Sequence, residues 1–298
     1  MADLEENGFI NHPHTSAGRI PTDKGYRFYV DSLIQIPKLH NSQKGKINKT
    51  LEQNQAETDE ILKVATNLLS NITNQLACLT YPSLDSGHLE KIQIVSLSSS
   101  RILVVISIKS GLVKTITLEV KSEIKPQQID SVQRLLNERL YGLTFREIRT
   151  TFKERFKDVT ADQKPVIRLF LDSVGKIFVD FNQSDRLLIS GAKNIIKQPE
   201  FEDPERFESV IELIENKNII VHILEKTSGQ KQDKVFISIG SENKNEKLQE
   251  YSFISKEYRF GDTSGTVGII GPKRMEYSRI IAIVDYLAKM LSEYLTHA

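Results

Sequence analysis

Apolar positions along this 298-residue chain change their period several times, and each change predicts an element. Between 57 and 79, Ile61, Leu62, Ala65, Leu68, Leu69, Ile72, Leu76 and Leu79 recur at steps of three and four, which predicts one amphipathic helix. The period then falls to two over 91–97, 102–108 and 112–120, with Ser98-Ser99-Ser100 and Ser110-Gly111 between the runs; this predicts an antiparallel meander. A helix is predicted after Pro126, where Ile129, Val132, Leu135 and Leu136 share a face, and another from Thr144, which forms a capping box with Glu147. The apolar run 165–181 fits helix or strand, and 186–190 reads as a strand. Asp203-Pro204 opens a helix carrying Phe207, Val210, Ile211 and Ile214; strands follow at 219–225, 234–239, 251–259 and 265–270. A final helix from about 274 to 294 presents Ile280, Ile281, Ile283, Val284, Leu287, Met290 and Leu291, a face broad enough to cover a sheet. Strands, then helices, then strands again suggest that one region is inserted into another. The expected division is a sheet domain from 81–121 and 201–298, interrupted by an insert at 122–200.

The start of the chain follows different rules. MADLEENG reads as the end of a helix, with Leu4 as its apolar contact and Asn7-Gly8 as its stop. FINHP and RIPT flank a turn from His14 to Gly18, where Gly18 is available for positive φ, and so read as a hairpin. Thr22 caps a helix from Asp23 to about Ile34 with Tyr26, Tyr29, Val30 and Leu33 at helical spacing, and Pro37 ends it. Residues 38–56 are polar and rich in Asn, Gln and Lys, which reads as a linker.

Composition narrows the function classes. The chain is 39% hydrophobic and 27% charged, no apolar run approaches the roughly 18 residues of a membrane span, and no secretory signal opens it. The one cysteine, Cys78, cannot form an internal disulfide, which points to a reducing cytoplasm; in an apolar stretch it reads as a buried small hydrophobe. Net charge is +1, so a nucleic-acid partner has no global electrostatic footprint and must be met locally. Within 1–30 the cations Arg19, Lys24 and Arg27 face Asp3, Glu5, Glu6 and Asp23, a weak phosphate binder by itself.

Few constellations suggest chemistry. Gly265, Gly268 and Gly271 have neither dinucleotide nor P-loop spacing, and Pro272 removes a donor, so they read as a strand-to-helix turn. His12 and His14 share a strand face without a third metal ligand nearby. No nucleophile elbow or Cys-His pair recommends an enzyme, and no cofactor is implied. Gly240-Ser241-Glu242-Asn243 reads as a β-turn, with a ligand or partner contact as the alternative. The opening segment is either a plain surface hairpin or the wing of a DNA reader. In the second case Arg19 enters a minor groove or binds phosphate, His12, His14, Thr15 and Ser16 meet the DNA backbone, and Lys24 and Arg27 reach phosphate from the following helix. Spacing alone favours neither.

The residues themselves break the tie. MADLEENGFINHPHTSAGRIPTDKGYRFYVD resembles the N-terminal signature of the HrcA family of heat-inducible transcription repressors, and IGSENKNEKLQEYSFISKEYRFGDTSGTVGIIGPKRMEYSRIIAIVDYLAKML resembles its C-terminal one. The block from Lys193-Asn194-Ile195-Ile196 to Pro199-Glu200-Phe201 is similar to a third. The resemblance implies an α+β protein: the remnant of a winged helix-turn-helix at 1–22, linker helices at 23–80, then a GAF-like antiparallel-sheet domain with an inserted α/β dimerisation domain. It implies a homodimer that binds an inverted-repeat operator, CIRCE, ahead of chaperone and chaperonin operons, with the GroE chaperonin as modulator. It also implies that Met1 lies inside the recognition helix, so that DNA affinity of the chain as written is expected to be weak. The competing reading is a GAF-like ligand- or chaperonin-sensing module without DNA binding.

Overall fold

A computed structural model describes residues 1–12, 18–53, 58–120, 124–161, 163–180, 186–201, 203–227, 234–243 and 245–297. The fold mixes helices with antiparallel sheet. In chain order the elements are α1 (Ala2–Glu6), β1 (Ile10–Asn11), β2 (Ile20–Pro21), α2 (Asp23–Phe28) running into a π-helical turn (Tyr29–Leu33), α3 (Asn41–Glu52), α4 (Thr58–Thr73), β3 (Leu76–Thr80), β4 (Leu89–Ser98), β5 (Arg101–Ile108), β6 (Val113–Glu119), α5 (Pro126–Leu140), α6 (Phe145–Arg155), α7 (Lys164–Ile177), β7 (Leu187–Ser190), α8 (Ala192–Ile196), α9 (Pro204–Glu215), α10 (Lys217–Thr227), β8 (Phe236–Ile239), β9 (Tyr251–Phe260), β10 (Thr263–Pro272) and α11 (Tyr277–His297). They fall into two compact units, one of Met1–Tyr81, Gln183–Tyr258 and Gly265–Ala298, the other of Pro82–Asn182 and Arg259–Ser264.

The first unit is built on a five-stranded sheet in the order β7-β3-β10-β9-β8. Strand β3 is buried at every position, as a central strand with helices on both faces must be. Leu76 and Cys78 join Tyr251, Phe253 and Ile270 on one face, against Val210 and Leu213 of α9 and Ile220, Val221 and Leu224 of α10. On the other face α4 packs on β3 and β7, and α11 and α3 pack on α4. Cys78 is fully buried, and that burial pushes its thiol pKa far up, so the thiol stays protonated.

Several sequence expectations change here. The expected linker at 38–56 contains α3, whose Ile47 and Leu51, one turn apart, are buried while the rest of the helix is largely polar. Two anchors are too few for a periodicity signal. Leu76 and Leu79 leave the predicted helix for β3, because Asn74, at φ +55, reverses the chain after α4. The expected strand at 219–225 is α10: its β-branched run suggests a strand, but Ile220, Val221, Ile223 and Leu224 bury one helical stripe. Packing outweighs propensity there. The three glycines 265, 268 and 271 lie inside β10 and make no strand-to-helix turn. Their role is close approach: a Cβ on Gly268 would stand 2.5 Å from the Ile254 carbonyl oxygen, and one on Gly265 2.5 Å from that of Thr80.

The second unit carries a three-stranded antiparallel sheet, β4-β5-β6. Ile92, Ile94, Ile102, Val104, Ile106 and Leu118 on its inner face form one core with Val132, Leu136, Ile148, Phe152, Ile167 and Phe170 of α5, α6 and α7. The run 165–181, ambiguous by sequence, is largely α7. Helix α5 also closes the free edge of β4: the Asn137 side-chain amide accepts from Ile92 N–H and donates to Ile92 O, each at 2.8 Å, and Gln133 accepts from Ile94 N–H at 2.7 Å. The half-buried ammonium of Lys114 donates to the carbonyls of Ile177 (3.1 Å), Lys176 (3.2 Å) and Val179 (2.5 Å), which satisfies the end of α7. Thr144 and Glu147 form the expected capping box at α6. The division expected at 121/122 therefore cuts through a single core, since the apolar face of the meander is covered by the very helices assigned to the insert. The compact division is 82–182 with 259–264.

Gly268→Ala should cost about 1–3 kcal/mol, because the clashing atom is backbone and cannot swing away. A thermal melt reads it, with Gly18→Ala, which meets open space, as the control expected to stay near wild type.

Candidate nucleic-acid interface

Short-range bonds fold the opening segment. Gly8, at φ +71, turns the chain after α1, and Phe9 N–H donates to Leu4 O at 2.8 Å. Ile10 pairs with Pro21 and Asn11 with Ile20 to make the base of the hairpin. Thr22 locks this base to α2: its hydroxyl donates to Gly8 O at 2.6 Å and accepts from Gly25 N–H at 3.1 Å. Position 25 has to be glycine, since a Cβ would lie 2.1 Å from Phe9 O. The Phe9 and Phe28 rings then meet at 5.0 Å.

The cations of this segment are mostly occupied. Arg19 Nε donates to His12 Nε2 at 3.0 Å and lies 3.6 Å from the Glu5 carboxylate. Lys24 donates to Asn7 O at 2.8 Å, 4.8 Å from the centre of the Phe9 ring. Arg27 turns away from the hairpin: its guanidinium binds both carboxylate oxygens of Glu242, donates to Ile237 O at 2.9 Å and meets Asp31 at 3.2 Å. Hydrogen bonds to Glu242 are the main reason its pKa is raised, against burial, and Asp31 adds to this. The expectation that Arg27 reaches phosphate thus fails on geometry, because an edge-strand carbonyl and two carboxylates hold it. His12 and Arg19 meet each other beside the hairpin, Lys24 lies on Asn7 and Phe9, and His14, Thr15 and Ser16 lie outside the described residues.

Sequence reasoning missed the partners that dock α2. Asp23 accepts from Ser241 N–H at 2.8 Å and lies 3.2 Å from Lys273 Nζ. Burial disfavours its charge, yet the Ser241 bonds and Lys273 outweigh that and hold its pKa below 3.8. Gly240–Glu242 is a 3-10 turn with Gly240 at φ +52, where the Asp23 carboxylate fills the space a Cβ would take. Asn243 is buried and pins this turn: its amide donates to Gly240 O (2.9 Å), Leu248 O (3.1 Å) and Tyr251 O (3.1 Å), and accepts from the Ser238 hydroxyl at 2.7 Å. The Thr22-capped helix, which carries Asp23 and Arg27 four residues apart, is the available signal, but nothing local pairs it with 241–242. A cavity of about 570 Å³ lies beside this turn, lined by α10, β8, Glu242, Asn243, Asn245 and Leu248. Among the described residues no group of three or more His, Cys, Asp or Glu is placed to hold a metal, and no helix is long and apolar enough to cross a membrane.

The geometry defines a class: a mixed α/β chain whose N-terminal helix and hairpin are docked by a charged helix onto the edge of a five-stranded sheet. Comparison with known proteins gives the family. The model of the HrcA protein C terminal domain matches residues 59–281. The heat-inducible transcription repressor HrcA of Chlorobium phaeobacteroides (strain BS1) is 40% identical over 99% of this chain and 86% of its own length, and that of Chlorobium chlorochromatii (strain CaD3) is 39% identical over 99% and 85%. That of Chlorobaculum tepidum is 40% identical over 99% and 85%. A solved structure described as a hypothetical protein shares the fold, with a TM-score of 0.55 at 23% identity over 99% of this chain and 85% of its own. The chain belongs to the HrcA family.

The Asp23 contacts set a pH signature. Its unfolded value is 3.8 and its folded value lower, so its contribution is complete above the unfolded value and disappears as pH falls through the folded one. The melting-temperature gap between wild type and Asp23→Asn should stay open from pH 7 to about 5 and narrow as the pH falls below 3.8.

Proposed function

We propose that the chain is a negative regulator of heat-shock genes, chaperone and chaperonin operons, acting as a dimer on the inverted-repeat CIRCE operator and released on heat shock. The identity of about 40% to heat-inducible repressors along 99% of the chain carries this reading. In it, α1 is the end of a recognition helix, β1 and β2 are the stem of the wing, and the sheet unit is GAF-like. His12, His14, Thr15, Ser16, Arg19 and Lys24 meet the DNA backbone; Arg27 sets the angle of α2. An operator-bound repressor works by steric exclusion, with no catalytic step and no cofactor. GroE is the modulator in this reading, and the cytoplasm the compartment.

An inverted repeat is matched by a two-fold pair, which needs a self-complementary surface. The uncovered face of β4, β5 and β6 supports this role for the 82–182 unit. Val95 and Leu97 are about half exposed, Val113 is 57% exposed, and Leu103 pairs with Val95, with Val105 two positions further along β5 opposite Gln93 and Thr115. A second reading, a sensing module without DNA binding, draws on the cavity beside α10.

Fluorescence anisotropy with a labelled inverted-repeat duplex and a scrambled duplex tests the first reading. The chain should discriminate the two, and Arg19→Ala should weaken both uniformly and flatten the salt slope by about 1. Equal binding of both duplexes rejects the repressor reading. Glu5→Gln should strengthen non-specific binding about two- to fivefold at low salt, since Arg19 loses its nearest carboxylate. Paired Leu97→Glu and Val113→Glu should convert dimer to monomer in sedimentation, because both side chains are exposed.

A further inference from the structure

The cavity beside α10 is assembled from three elements of one unit. Asn218, Ile219, His222 and Ile223 come from successive turns of α10, Phe236 and Ser238 from alternate positions of β8, and Glu242, Asn243, Asn245 and Leu248 from the turns that follow. At about 570 Å³ it has the size of a small-molecule site, and its wall is apolar where Ile219, Ile223, Phe236 and Leu248 meet.

The polar groups of the lining divide into spent and unspent. Ser238 donates to Asn243, and the Asn243 amide is fully used on three carbonyls. Both carboxylate oxygens of Glu242 are taken by Arg27, and one also accepts from Ile239 N–H. Asn245 caps Lys247 N–H. The Asn218 amide and the His222 imidazole remain, one helical turn apart on the same face of α10, and neither has a hydrogen-bond partner among the described residues. Among the described lining residues the one carboxylate is already matched by a guanidinium, so these residues offer no net charge to a ligand. What it offers is an apolar floor, one aromatic ring, and a paired amide and imidazole that both donate and accept.

We propose that this cavity binds an uncharged planar heteroaromatic molecule, of nucleobase to nucleoside size. Its flat face lies against Phe236, Ile219, Ile223 and Leu248, and its donor and acceptor edge meets Asn218 and His222. A phosphorylated or otherwise anionic form is disfavoured, since it would approach the Glu242 carboxylate without a free cation among the described lining residues. The site stands whether or not the chain binds DNA, because none of its residues belongs to the hairpin. Occupancy would be felt at α2, since Glu242 forms both the cavity wall and the anchor of Arg27.

Isothermal titration of the full chain with adenosine, guanosine and nicotinamide as probes, and with AMP as the anionic comparison, tests the proposal. The expected result is saturable binding of at least one neutral probe, weaker binding of AMP, and a loss of about tenfold or more in Asn218→Ala/His222→Ala. Both positions are exposed on a helix where alanine is well tolerated, so the variant keeps its fold, which a wild-type melting curve verifies. No binding of any neutral probe, equal affinity of the double variant, or tighter binding of AMP than of adenosine each overturns it.

Discussion

A strand at the edge of a sheet leaves a row of N–H and C=O groups that must find partners or invite another chain to supply them. In the five-stranded sheet β8 is one of the two edge strands, and side chains satisfy outer groups of it: Ile237 O accepts from Arg27, and Ile239 N–H donates to Glu242. Since Arg27 and Glu242 also bind each other, edge protection and the docking of α2 are one interaction. The hairpin inherits its position through Thr22 and Gly25 at the start of that helix. An Arg–carboxylate fork suits this duty because its donors are fixed in a plane, whereas a lysine would supply one mobile charge.

The other unit solves the same problem with neutral groups. Asn137 offers β4 an acceptor and a donor from one amide, as a neighbouring strand would, and Gln133 adds a second acceptor one turn earlier. Lys114 does the converse, ending α7 from a sheet position by gathering two of its carbonyls and that of Val179 just beyond. In both places a polar side chain on one layer completes the backbone of the other. Half-buried groups of this kind cost stability if left unmatched, so they fix which helix lies against which strand more sharply than apolar contact does.

What the sequence disclosed followed from how local each signal is. The meander, the capping box at Thr144, the Thr22 cap and the closing helix are written in neighbouring residues, and they appear where the pattern put them. Helix α3 was hidden because only Ile47 and Leu51 are buried, and α10 because Asn-Ile-Ile-Val-His-Ile-Leu has strand composition while its burial has helical period. Gly265, Gly268 and Gly271 were misread because glycine reports a need for room without saying whether a turn or a neighbouring strand needs it. The Arg27–Glu242 contact joins residues 215 positions apart, and no local pattern carries that information. Chemical character alone therefore made Arg27 look like a phosphate ligand.

The fully committed amide of Asn243 also says something about mutational risk. It is one group that must donate to three carbonyls and accept from a hydroxyl, and aspartate, its nearest match in shape, would turn an oxygen toward all three. Codons for asparagine and aspartate differ by a single base, so the replacement easiest to reach by shape and by point mutation is among the worst tolerated. The turn that anchors α2 thus sits one transition away from losing its clasp.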